Sequence, residues 1–176
     1  MSTTTARTVT RARLSRAELR QRWLQMIEDP LLAAIPYKVE LNEKGAIEVS
    51  PASNRHAVLQ AFVTSELRGR RPDGTTMTEC SVETRIGVRV PDVAWASPEF
   101  VARHGVTTPF PSAPEICVEV LSPSNTAAQM NEKAAAYLEA GASEVWLVSD
   151  DRGIEIITKS GARASSAFGI DLVLPS

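Results

Sequence analysis

The sequence predicts an α/β domain in which a mixed β-sheet is flanked by helices. Three observations carry this. From Arg55 to Val148 the patterns follow the order helix, β, β, β, helix, β, a layout that packs helices against a sheet. The run Glu115–Leu121 is apolar on both faces apart from Glu119, as a central strand covered from both sides requires. Two capping boxes, Ser15 with Glu18 and Thr126 with Gln129, mark helix starts.

Taken in order, the first capping box opens an amphipathic helix that runs to about Glu28, and Asp29-Pro30 ends it. A strand pair follows, Tyr37–Leu41 and Ala46–Val49, turned by Asn42 to Gly45. A second helix spans Arg55–Arg68, with Val58, Leu59, Phe62, Val63 and Leu67 as its apolar stripe. The segments Thr78–Val90 and Asp92–Ala96 read as β structure broken at Pro91, which supplies no amide donor. Residues 97–114 form a Pro-rich loop with a helical turn at Pro98–Arg103. After the strand Glu115–Leu121, the second capping box opens a helix that runs to Ala140 and stops at Gly141. Strands Glu144–Val148 and Ile154–Thr158 make a hairpin, and a short strand Asp171–Leu174 closes the chain.

With 176 residues the chain fits one domain. Residues 1–14 read as a flexible tail, with basic residues but no apolar segment of the kind a secretory signal needs, and 15–176 as the folded domain. No apolar run approaches membrane-spanning length, and the two cysteines have no metal-ligand spacing, so a cytoplasmic protein is the default. A net charge of -2 does not announce a non-specific nucleic-acid binder, whose affinity comes from phosphate neutralisation. The local basic cluster Arg68, Gly69, Arg70, Arg71 reads first as cations closing a helix C-terminus.

The chemistry concentrates on three residues. Glu119 sits inside an apolar strand, where a lone carboxylate is costly to keep charged. Asp92, in Arg-Val-Pro-Asp-Val-Ala-Trp, lies on the strand segment before it, and consecutive segments tend to neighbour one another. Two carboxylates at adjacent strand ends suit Mg²⁺ or Mn²⁺, with the backbone carbonyl of Val120 as a third oxygen. On the helix that follows, Ala127, Met130, Ala134, Tyr137 and Leu138 form the apolar stripe, and Gln129, Glu132, Ala136 and Glu139 lie opposite. Lys133 falls on the flank, from where its ammonium can reach back to the strand carrying Glu119.

The strings Val-Pro-Asp-Val-Ala-Trp (90–95), Val-Glu-Val-Leu-Ser-Pro-Ser-Asn-Thr (118–126) and the stretch from Glu132 to Val148 resemble the Uma-two family, a member of the PD-(D/E)xK restriction-endonuclease-like superfamily. The resemblance runs from about Tyr37 to Thr158. It implies a restriction-endonuclease-like fold, with Asp92 as the acid of the Pro-Asp motif and Glu119 as the acid of the (D/E)xK motif. Leu121 stands where that motif has lysine, and the resemblance implies that Lys133 substitutes from the helix. His56 opens the second helix, either as a group touching a metal-bound water or phosphate or as a structural residue. Glu48 and Glu66 are remote further acids, and Gln60 shares a face with His56.

The implied function is metal-dependent hydrolysis of DNA phosphodiester bonds, with Asp92 and Glu119 holding Mg²⁺ or Mn²⁺ and Lys133 stabilising the developing charge. The resemblance also implies a homodimer, which pairs two sites to cut two strands. Two alternatives stay open: a nuclease fold used for binding or assembly without turnover, and a hydrolase of a small phosphorylated substrate.

Overall fold

The computed structural model describes residues 12–123 and 125–175. Most of the expected tail, residues 1–11, lies outside them. The rest of that stretch is tied down: the Leu14 amide donates to the Glu43 carbonyl at 2.8 Å, and its side chain packs on a core cluster.

Helix α1 (Arg16–Ile27) begins with the expected capping box and buries Leu19, Trp23 and Met26. Asp29 then caps a short helix, α2 (Pro30–Ala33), where the sequence read only a stop. Proline forbids continuation of one helix, but its fixed φ also suits the first position of the next. Strands β1 (Lys38–Asn42) and β2 (Ile47–Ser50) form the expected hairpin. Helix α3 (Asn54–Arg70) buries Leu59, Val63 and Leu67, whereas Val58, expected in its stripe, is half exposed.

The expected β stretch 78–90 is three strands in two different sheets. Strand β3 (Thr75–Thr78) pairs with β6 (Val93–Ala96), while β4 (Val82–Thr84) and β5 (Gly87–Arg89) form a hairpin whose β5 lies beside β1. The chain leaves the first sheet at Glu79, a non-glycine residue at φ 53°, and returns at residues 90–92, where Pro91 has no amide to satisfy. Gly87 makes the junction with β1 possible. Its φ is +118°, and a Cβ there would sit 2.0 Å from the Leu41 carbonyl oxygen.

A short helix, α4 (Pro98–His104), capped by Ser97, leads to β7 (Ile116–Val120). Helix α5 (Ala127–Ala140) carries the second capping box and ends at Gly141 with φ +122°, as expected. It connects β7 to the parallel strand β8 (Glu144–Ser149), which turns into β9 (Gly153–Thr158) and then β10 (Gly161–Arg163), a strand the sequence did not suggest.

The mixed six-stranded sheet has the order β10-β9-β8-β7-β6-β3, and the antiparallel four-stranded sheet the order β2-β1-β5-β4. Helix α3 packs on one face of the larger sheet through Leu59, Val63 and Leu67 against Val93, Val118 and Trp146. Helix α5 packs on the other, through Met130, Ala134 and Tyr137 against Cys117, Val145 and Leu147. Ala136, placed on the wet side of α5 by its spacing, is fully buried.

The expected strand Asp171–Leu174 is irregular chain. Ile170, Phe168, Leu172 and Leu174 instead lie on the core cluster that α3 also covers. Alternating apolar residues report one-sided burial, and a segment laid across a sheet face satisfies that pattern as well as a strand does. Glu144 clasps this segment. It is 1% exposed and accepts from the Trp146 indole and the Ser166 hydroxyl, both at 2.8 Å, and from the Ala167 amide at 2.6 Å.

Candidate active site

Antiparallel pairing of β6 with β7 places Val93 opposite Val118. Asp92, the residue before β6, therefore meets the end of β7. Its amide donates to the Val118 carbonyl at 2.9 Å, and its Oδ2 accepts the Val120 amide at 2.7 Å. Alternation along β7 sends Val118 and Val120 to the α3 face and Glu119 to the α5 face. There the Tyr137 hydroxyl donates to Glu119 Oε1 at 2.8 Å, and Lys133 Nζ stands 3.0 Å from the same oxygen. The fold thus brings the three residues together: Asp92 adjoins the end of the strand carrying Glu119, and Lys133 reaches back to Glu119 from its helix.

The remaining partners came from β1, which the sequence reading left out of the site. Lys38 Nζ lies 2.7 Å from Asp92 Oδ1 and 3.1 Å from Glu119 Oε2. Glu40 accepts from Lys133 Nζ at 2.9 Å, from the Val90 amide at 2.7 Å and from Arg89 at 3.3 Å. Lys133 accordingly bridges Glu119 and Glu40, and the cation joining Asp92 to Glu119 is Lys38. The positions at 38 and 40 share one face of β1, but charges at alternate positions of a hairpin read as its solvent face. Only the packing of α5 and β6 over that face reveals the burial.

His56, near the start of α3, has its Nε2 3.4 Å from Asp92 Oδ1, and the Gln60 amide donates to the Asp92 carbonyl at 3.0 Å. Glu48 is held by Arg89 and Asn42, and Glu66 pairs with Arg70 at 2.8 Å, so neither acid contacts Asp92 or Glu119. Of the basic cluster, Arg71 pairs with Asp73 and stacks 4.1 Å over the Trp95 ring, a structural role. Leu121 packs on the α5 side cluster, and its amide donates to the Val148 carbonyl.

Asp92, Glu119, Lys38, His56, Gln60, Glu79, Val120 and Lys133 line a cavity of about 440 Å³. Burial opposes the charge on Asp92, yet hydrogen bonding to His56 and the Lys38 ammonium hold its carboxyl well below the usual range. Burial likewise opposes ionisation of Glu40, and Lys133, Lys38 and Arg89 overcome it. Burial works against the Lys38 ammonium, but Glu119, Asp92 and Glu40 push its pKa up. Tyr137 is raised far above its normal value, first by burial and then by Glu119, so its hydroxyl stays a donor.

These directions set a pH dependence. Asp92 and Glu40 remain ionised in the folded chain where an unfolded chain would begin to protonate them. The stability they contribute is complete above their ordinary values of 3.8 and 4.5 and is lost as pH falls through the depressed ones. Urea midpoints of the wild type and Glu40→Gln, measured from about pH 7 to about pH 3, are expected to converge as the pH drops. A gap that stays constant across this range rules out a Glu40 contribution.

Among the described residues no group of three or more His, Cys, Asp or Glu side chains is placed to hold a metal ion. Two anionic oxygens, Asp92 Oδ1 and Glu119 Oε2, nevertheless converge on one positive charge. Hard oxygens in that number suit Mg²⁺ or Mn²⁺, which complete their shells with water and substrate phosphate. The donor set fits such an ion.

The family model Uma2, described as "Putative restriction endonuclease", matches residues 13–168. The chain belongs to the Uma2 family. The match begins two residues before the α1 cap and so takes in the helix and β1 residues that complete the site. A solved structure of "a putative nuclease belonging to DUF820" from Anabaena variabilis ATCC 29413 has the same fold, with a TM-score of 0.61 and 18% identity over 81% of this chain and 90% of that one. A search of curated proteins found no match. This Uma2 chain is a PD-(D/E)xK-like domain, and the lysines that meet Asp92 and Glu119 come from β1 and α5. Among the described residues no helix is long and apolar enough to cross a membrane.

Proposed function

We propose that this Uma2 chain is a metal-dependent endonuclease that hydrolyses phosphodiester bonds in DNA. The observation that carries the reading is the convergence of Asp92 and Glu119 oxygens in a cavity also reached by the Lys133 ammonium. Asp92 and Glu119 would hold Mg²⁺ or Mn²⁺, with the Val120 carbonyl as a further oxygen. When bound, such an ion supplies a Lewis acid for the phosphoryl group and a more acidic water.

The chain's own groups supply positioning and charge. The Val120 amide fixes Asp92 Oδ2 and leaves Oδ1 facing the cavity. Tyr137 fixes the rotamer of Glu119, and Glu40 holds Lys133 from its other side. Lys133 then stabilises negative charge developing on the phosphoryl oxygens, an electrostatic role that needs no movement. His56, against Asp92 Oδ1, orients that carboxylate or a phosphate beside it. Each chain contributes one such site among the described residues, so cutting both strands calls for a homodimer.

Supercoiled, linear and single-stranded DNA incubated with Mg²⁺ or Mn²⁺ test this. Wild type is expected to cleave at least one form, and Asp92→Ala, Glu119→Ala and Lys133→Ala to lose the activity. Cleavage surviving all three substitutions removes the proposal. A second reading, a nuclease fold that binds or assembles without turnover, is favoured by the Lys38 bridge across the two acids. Calorimetric titration with Mn²⁺ and Mg²⁺ in the presence of DNA tests between them: a chain that takes up neither ion is not a metal-dependent nuclease, which leaves the second reading.

A further inference from the structure

Among the described residues, Lys38 alone contacts both Asp92 and Glu119. The other carboxylate oxygens are already engaged. Asp92 Oδ2 takes the Val120 amide, and Glu119 Oε1 takes the Tyr137 hydroxyl and the Lys133 ammonium. The two oxygens left to converge are those that hold Lys38 Nζ, at 2.7 and 3.1 Å. An ion bound through both oxygens would sit roughly 2.1 Å from each. That is the space the ammonium fills, and like charges that close repel.

The charge balance points the same way. Three buried carboxylates, Asp92, Glu119 and Glu40, meet three cations, Lys38, Lys133 and Arg89. With all three cations in place the three buried acids are balanced and attract a divalent ion weakly; the further acid on Arg89, Glu48, is half exposed and lies outside the cavity lining. Without Lys38 the cluster carries an excess negative charge. Lys133 and Arg89 do not stand between the two converging oxygens: Lys133 meets Glu119 through its other oxygen and Glu40 beyond it, and Arg89 meets Glu40 and Glu48.

Lys38 is also placed to move. It is the first residue of β1, paired with Ser50 at the end of the ladder, so a change of rotamer leaves the strand intact. Its side chain is 12% exposed and lies on the cavity wall. On the same wall stands Glu79, exposed and without an ion-pair partner among the described residues.

We propose that Lys38 is an internal cation gate: its ammonium holds Asp92 and Glu119 together and must swing out before a divalent ion binds between them. This rests on the reading of Asp92 and Glu119 as metal ligands. The gate makes ion binding a competition between a tethered ammonium and free Mg²⁺ or Mn²⁺. It keeps two buried acids neutralised when the ion is absent, and it delivers a free ammonium to the cavity when the ion is present.

The test is Mn²⁺ binding to the full chain, read from the paramagnetic resonance of free Mn²⁺. Lys38→Met is expected to bind at least about tenfold more tightly than wild type, since a neighbouring unit charge is removed. Lys38→Arg keeps the charge and is expected to bind as weakly as wild type. Mn²⁺ should also raise the melting temperature of Lys38→Met more than that of wild type. If Lys38→Met fails to fold, lysine acylation of wild type with peptide mass analysis replaces it. Lys38 should label faster at saturating Mg²⁺, with exposed Lys159 unchanged as the control.

Equal or weaker Mn²⁺ affinity in Lys38→Met, no binding by either protein, or labelling of Lys38 that ignores Mg²⁺ overturns the gate. Tighter Mn²⁺ binding without DNA cleavage leaves the gate standing and removes the nuclease reading. DNA cleavage by wild type with an unchanged Mn²⁺ affinity in Lys38→Met does the reverse.

Discussion

Glu119→Gln is expected to lower metal-dependent DNA cleavage by about 10³-fold or more while leaving the chain folded. The substitution keeps the side-chain shape in a strand whose residues are all buried. What it removes is the charge. One amide oxygen can still accept from Tyr137, but the amide nitrogen then faces an ammonium instead of binding it. The buried acids fall from three to two against the same three cations, and both the proposed metal coordination and the orientation of Lys133 are expected to suffer. Tyr137→Phe deletes only the hydroxyl that fixes Glu119 and is expected to cost far less. Single-turnover cleavage at saturating Mn²⁺, with melting temperature as the folding control, reads the difference. A Glu119→Gln rate within about tenfold of wild type would withdraw Glu119 from the reaction.

Glu144→Ala is expected to destabilise the fold by about 3 kcal/mol without touching the cavity chemistry. The carboxylate is almost wholly buried, and its loss strands the Trp146 indole and Ser166 hydroxyl donors in the interior. A buried donor left unpaired costs about 1–3 kcal/mol, and the Ala167 amide loses its acceptor as well. For a chain of this length about 3 kcal/mol lowers the melting temperature by roughly 6–12 °C. The loss should localise. Phe168, Ile170, Leu172 and Leu174 hold the C-terminal segment on the sheet face, and limited proteolysis should open that segment first. Glu144→Gln keeps one acceptor and should fall between. A drop below about 2 °C for Glu144→Ala would show that water or a neighbouring group replaces the carboxylate.

How much was legible depends on whether the signal is local. The helices α1 and α5 were readable because Ser15 and Thr126 cap them and Gly141 ends the second. The β8–β9 hairpin was readable from its turn. By contrast, α2 was hidden because Pro30 both stops and starts helices, and β10 is only three residues long. The stretch 78–90 looked like continuous β structure because residues in either sheet alternate alike. Nothing local tells a strand which sheet it joins.

The site divides in the same way. Glu119 betrayed itself as a charge in an apolar strand, Asp92 followed from the neighbouring Pro-Asp, and Lys133 from its place on the flank of α5. Lys38 and Glu40 gave no such signal, since a hairpin with charges at alternate positions is an ordinary solvated one. Lys38 lies 54 residues from Asp92 and 81 from Glu119 in sequence. By itself the sequence determined the α/β class, the limits of α1, α3 and α5 to within about two residues, and Asp92, Glu119 and Lys133 as candidates, because periodicity and capping act within a few residues. Only the tertiary structure decided that β1 carries a lysine into the gap between the two acids, because burial of a charge and its choice of counter-charge arise when distant strands and helices pack.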